Sequence, residues 1–143
     1  MIKVRIPATS ANLGSGFDSL GLAVTLYNYV FMEEADGCRI TAIDGADIPT
    51  DENNLVYVAA KHLYALCGRP FPGLRILQEN NIPLARGLGS SSACIVGGLF
   101  GANALLGEPI GRDEIINVAA TIEGHPDNVT PAILGGLVTT ALD

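Results

Sequence analysis

The 143-residue sequence has no tryptophan, and lysine occurs only twice, at Lys3 and Lys61. Charged residues are 16% of the chain, and 15 acidic against 8 basic residues leave a net charge of −7. That balance excludes a generic nucleic-acid or anionic-membrane binder, whose affinity rests on dense positive charge. An anionic ligand has to be held locally, and not by a lysine cluster. No apolar run reaches the roughly 18 residues of a transmembrane helix. The opening MIKVRIPATS lacks the apolar core of a secretory leader, so Asn128-Val129-Thr130 carries no weight as a glycosylation acceptor. Cysteine is sparse: Cys38, Cys67 and Cys94 are odd in number, lie in apolar stretches and form no CxxC pair. These features predict reduced, buried thiols in a cytoplasmic protein.

What the sequence does have is apolar residues, at 48%, and glycine, at 17 of 143. The first supports a buried core in a single domain and excludes a disordered segment. The second, without a collagen period, points to tight loops or a backbone that approaches something closely. Ile2, Val4 and Ile6 alternate with Lys3 and Arg5, which predicts a half-buried strand stopped by Pro7. Residues 22–34 and 38–44 read as strands, with Asp36-Gly37 between them as a hairpin turn. Leu55, Val58, Ala59, His62, Leu63 and Leu66 fall on one face at helical spacing. Asn54 is the expected N-cap and Gly68 the stop, and His62 is expected to pack at the core or its edge. Residues 74–78 read as a strand and 90–106 as a buried helix of small residues. Residues 113–123 read as a helix ended by Gly124, and 136–142 as a final strand. Strands lead and helices follow without regular alternation, which predicts an α+β fold.

Three segments could carry chemistry. Asn12, Ser15 and Asp18 sit among Gly14, Gly16 and Gly21, either as a small-molecule pocket or as a turn bonding its own backbone. The stretch Pro83-Leu84-Ala85-Arg86-Gly87-Leu88-Gly89-Ser90-Ser91-Ser92-Ala93 is the most informative. Its glycines let amides converge, and the helix that follows presents its positive end to an anion. The three serines offer hydroxyls to phosphate oxygens or to Mg²⁺. A Walker-type loop fails because no lysine follows. A dinucleotide fingerprint fails because Ser92 holds the third glycine's place and Pro83 stands where a strand is required. The other reading is a serine-capped helix start. Finally, Glu123-Gly124-His125-Pro126-Asp127-Asn128 places two carboxylates and an amide just past a helix end. These suit a hard cation beside phosphate, or simply a helix stop and turn. Glu123 is anomalous there, since the dipole disfavours an acid at a helix C-terminus. His125 reads equally as a base or as a loop residue.

Together and in this order, PATSANLGSGFDSLGLA, PLARGLGSSSA and EGHPDNVTPAILGG resemble the homoserine kinases of the GHMP small-molecule kinase superfamily. The resemblance implies a GHMP-kinase-type N-terminal domain (ribosomal protein S5 domain 2-like), with a mixed or antiparallel sheet and packed helices. It makes residues 1–143 the ATP-binding domain of a longer kinase whose C-terminal domain is absent, so that the piece alone is expected to be inactive. The implied reaction is ATP-dependent phosphorylation of the L-homoserine hydroxyl, a step of threonine biosynthesis. The cofactors implied are ATP and Mg²⁺. The partners are small molecules, with no nucleic acid and no membrane, and a homodimer is admitted. Carried over by position, Pro83 to Ala93 wrap the ATP phosphates, Ser91 and Glu123 ligate Mg²⁺, and Asn54 contacts the nucleoside. Asn12, Asp18, Asp127 and Asn128 hold homoserine, and Asp127 and Asn128 are the catalytic candidates, with Asp127 orienting substrate rather than taking its proton. Two other functions compete: another GHMP kinase acting on a mevalonate-type alcohol, and a non-catalytic ATP-binding regulatory domain.

Overall fold

The computed structural model describes residues 1–8, 24–82, 90–124 and 137–142. The strands are β1 (Ile2–Ala8), β2 (Val24–Glu34), β3 (Gly37–Ala42), β4 (Gly73–Asn80) and β5 (Val138–Ala141). The helices are α1 (Leu55–Leu66), α2 (Ser90–Leu105) and α3 (Arg112–Glu123). The strands form one mixed sheet in the order β3-β4-β2-β1-β5, in which only β3 and β4 are parallel. The expected α+β architecture is the one observed.

Alternation decides which side of the sheet is covered. Val4 and Ile6 of β1, Val30 and Met32 of β2, and Leu74 and Ile76 of β4 are all at most 2% exposed and share one face with the helices. Each such side chain contributes about 1.5–3 kcal/mol relative to exposure. The opposite face is half-buried and pairs cations with rings. Lys3 Nζ lies 5.0 Å from the Tyr29 centroid and Arg5 Cζ 4.7 Å from that of Tyr27. Helix α2 is wedged between the sheet and α1, which accounts for its small, apolar composition. Gly97 abuts Ile6 and Val30, Gly101 abuts Met32, and a Cβ at Gly98 would overlap the Val56 carbonyl oxygen.

Several sequence expectations are corrected. The Asp36-Gly37 turn does not close a hairpin, because β4 inserts between β2 and β3. The turn instead carries the chain across the end of β4, where the Ala35 and Gly37 amides donate to the Gly73 and Pro72 carbonyls. Gly73, at φ +121°, lies so close to the Gly37 backbone that a Cβ there would overlap it. β3, α1 and β4 thus form one parallel strand–helix–strand unit inside the otherwise antiparallel sheet. Pro7 does not end β1 either. Among the described residues β5 pairs with Ile2 to Arg5, and on the other side β1 runs on through Pro7 and Ala8 in register with β2, with an irregularity between the two.

The buried face of α1 is rotated from the one expected. Val56, Tyr57, Ala59, Ala60, Leu63 and Tyr64 are buried, whereas Leu55, Val58, His62 and Leu66 face out. The two tyrosines decide this: both stack edge-on against Phe71, with ring centroids 5.4 and 5.1 Å away. The cysteines are free as expected but half-buried rather than buried. Among the described residues, no helix is long and apolar enough to cross a membrane.

Candidate functional site

Helix α1 begins as the sequence predicts. Asn54 caps it, its Oδ1 accepting from the Val56 and Tyr57 amides at 2.9 and 3.3 Å. Its Nδ2 donates to the Pro49 carbonyl at 2.8 Å and to Gln78 Oε1 at 2.7 Å. Asn54 is 2% exposed, and both amide hydrogens and both oxygen lone pairs are spent within the protein. The side chain proposed to meet a nucleoside is therefore fully engaged as the helix cap. Its partner Gln78 went unnoticed in the sequence. The available signal was a polar residue at the inward position of β4, after Leu74 and Ile76.

Helix α2 begins differently. Ser91 and Ser92 each donate a hydroxyl hydrogen to Glu123 Oε1, at 3.3 and 3.1 Å. Ser92 is fully buried. Glu123 is the last residue of α3, which Gly124 closes in the left-handed region at φ +90°, its N–H returning to Ala120. The anomaly of an acid at a helix C-terminus resolves in space: Glu123 lies against the positive start of α2. One turn further along α2, burial pushes the Cys94 thiol up to about 11, although Gln78 hydrogen-bonds it. Gln78 thus links the cap of α1 to the first turns of α2.

The structure therefore brings together Ser91, Ser92 and Glu123, three of the predicted site residues, and buries Ala93 behind them. Ser90 is the first residue of α2. Asn12, Asp18, residues 83–89, Asp127 and Asn128 lie outside the described residues, as do Ser15 and His125. Hydroxyl and carboxylate oxygens are hard donors, the chemistry that Mg²⁺ takes from proteins, commonly with one or two carboxylates and the rest from water and phosphate. Among the described residues no cluster of three or more His, Cys, Asp or Glu forms a denser metal site. The chemistry this arrangement can support is a cation shared between a protein carboxylate and an anion at the start of α2.

Residues 54–136 match the family described as the GHMP kinases N terminal domain. This is more than half of the chain, and the chain belongs to the GHMP kinases. Within that class its relatives are specific. The homoserine kinase of Moorella thermoacetica is 51% identical over 142 residues, covering 98% of this chain and 48% of that protein. A structure from Listeria monocytogenes, provisionally assigned as a homoserine kinase, superposes with a TM-score of 0.78 at 44% identity, covering 99% of this chain and 50% of that one. The mevalonate kinase of Methanococcus jannaschii shares the fold, with a TM-score of 0.72 at 18% identity, over 98% of this chain and 53% of its own. The chain spans about half the length of the curated relatives it matches.

Proposed function

We propose that this chain is the nucleotide-binding part of an ATP-dependent kinase that phosphorylates the side-chain hydroxyl of L-homoserine, in the cytoplasm and in the service of threonine synthesis. The observation that carries the reading is the convergence of Ser91, Ser92 and Glu123 at the start of α2, directly after the glycine-rich segment. The high identity to homoserine kinases, against the low identity to a mevalonate kinase of the same fold, favours homoserine as acceptor.

In this reading the backbone amides of residues 83–93 and the positive end of α2 receive the ATP phosphates. Ser91 and Glu123 hold Mg²⁺, which when bound supplies charge neutralisation to the phosphate oxygens. Asn54 serves the nucleoside side by fixing the start of α1 rather than by lending a hydrogen bond. Asn12, Asp18, Asp127 and Asn128 hold the amino acid, the carboxylates taking its ammonium and the amides its polar oxygens. The hydroxyl oxygen attacks the γ-phosphorus, the bond to the ADP oxygen breaks with its electron pair leaving on ADP, and the hydroxyl proton is released to solvent water. Such transfer needs alignment and charge stabilisation more than covalent help, so no lysine and no dedicated base are required.

The test is a coupled assay of the natural gene product that contains this chain, with ATP against homoserine and mevalonate. Phosphohomoserine formation is the expected result. Phosphorylation of mevalonate alone would place the chain in the rival branch, and ATP binding without turnover would favour a regulatory domain. Glu123→Gln is expected to lower kcat/KM about a hundredfold. Because the relatives are about twice as long, turnover is assigned to the natural gene product and not to residues 1–143 in isolation.

A further inference from the structure

Strand β2 points a row of residues into the core: Leu26, Asn28, Val30 and Met32. Asn28 does not belong in such a row by polarity. It is 2% exposed, and a buried amide is tolerated where it does hydrogen-bonding work. Its partner lies beyond the strand ladder. The β2–β4 pairing ends at Asn28 and Asn80, and two residues later the Ile82 N–H donates to Asn28 Oδ1 at 2.9 Å. The side chain thus extends the ladder after the strand itself has stopped.

The residues on the way are tied as well. The Asn80 N–H donates to Asp44 Oδ2 at 2.9 Å, and Asn81 Nδ2 donates to the Tyr27 carbonyl at 2.8 Å. Those two bonds are exposed, so water can replace them, whereas the Asn28–Ile82 bond is buried. Ile82 is 1% exposed, and its N–H has no solvent to turn to. The residue after it is Pro83, which opens the glycine-rich segment.

We propose that Asn28 is a positioning residue for that segment: by locking the Ile82 peptide it fixes the point from which the chain departs toward α2. The proposal rests on the phosphate-binding reading above. A cradle of backbone amides is effective when it is set before the anion arrives, and a loosened anchor weakens it without any lost contact to the ligand.

The experiment compares the unsubstituted natural gene product with Asn28→Leu, which keeps the branched heavy-atom shape and removes the acceptor, and Asn28→Asp, which retains an acceptor oxygen. In Asn28→Leu the Ile82 amide is expected to exchange with solvent at least about tenfold faster, and KM for Mg·ATP to rise about tenfold. KM for homoserine is expected to stay within about twofold. Asn28→Asp is expected to restore both quantities. Unchanged exchange in Asn28→Leu overturns the lock. Faster exchange with an unchanged KM for Mg·ATP overturns the positioning role. Should Asn28→Leu not fold, Asn28→Ser, whose oxygen falls short of Ile82, carries the same comparison. If the unsubstituted protein neither binds nor turns over Mg·ATP, the kinase reading fails and the positioning role with it. The exchange measurement uses no nucleotide and still reports the lock by itself.

Discussion

Helices α1 and α2 lie side by side over the same sheet, yet the side chains at their starts are used in opposite ways. The start of α1 is closed by the protein itself: Asn54 occupies its first free amides and uses its remaining hydrogens on Pro49 and Gln78. An external anion finds no place at that side chain. At the start of α2 the serine hydroxyls are turned to a carboxylate delivered from the end of α3, across 31 and 32 residues of sequence. The contrast shows that a helix N-terminus capped by its own side chain is closed to a ligand at that side chain, whereas one with hydroxyl and carboxylate oxygens beside it offers donors to a cation that an anion can share.

The comparison can be broken or sharpened by mutation, beginning with the packing beneath α1. Leu63 is fully buried and Leu66 is 52% exposed, though both sit on the apolar stripe visible in the sequence. Leu63→Ala is expected to cost about 2–5 kcal/mol and Leu66→Ala less than about 0.5 kcal/mol, read by urea unfolding. Equal losses would mean that the helix face is assigned wrongly. Next comes the closed start itself. Asn54→Ala removes the cap and leaves Gln78 Oε1 without its donor, a loss of about 2–3 kcal/mol. Asn54→Asp keeps the cap but turns an acceptor oxygen toward the Pro49 carbonyl and Gln78 Oε1, so it should recover only part of the loss seen in Asn54→Ala.

The smallest effect concerns the approach to α2. The Asn80 N–H holds the Asp44 carboxyl below its ordinary value of 3.8. A lowered native pKa is a stabilisation present above the unfolded value and lost as pH falls through the native one. The stability difference between the parent and Asp44→Asn should therefore be constant at neutral pH and shrink below about pH 4. A difference that grows with acidification would contradict the bond.

How much of this was legible in the sequence varies by element. The ends of α1 were, because Asn54 and Gly68 are local signals that act within one turn. Its buried face was not: Leu55, Val58, Leu63 and Leu66 are alike to a periodicity argument, and Phe71, outside the helix, selects the face of Tyr57 and Tyr64. The Asp36-Gly37 turn was legible as a turn but not as a crossing, since the strand that separates its two arms arrives more than thirty residues later. The oddity of Glu123 could be seen, and its resolution could not.

By itself, then, the sequence determined what local forces set: strand alternation, the ends of the helices, the small-residue character of α2, and three motifs that in combination resemble one kinase family. Only the tertiary structure decided which face of α1 is covered, that β4 divides β2 from β3, and that Glu123 meets Ser91 and Ser92. It also showed that Asn28 reaches across to Ile82. The reason is physical. Propensities and caps act over a few residues, while the partner of a buried polar group is chosen by packing between segments far apart in the chain.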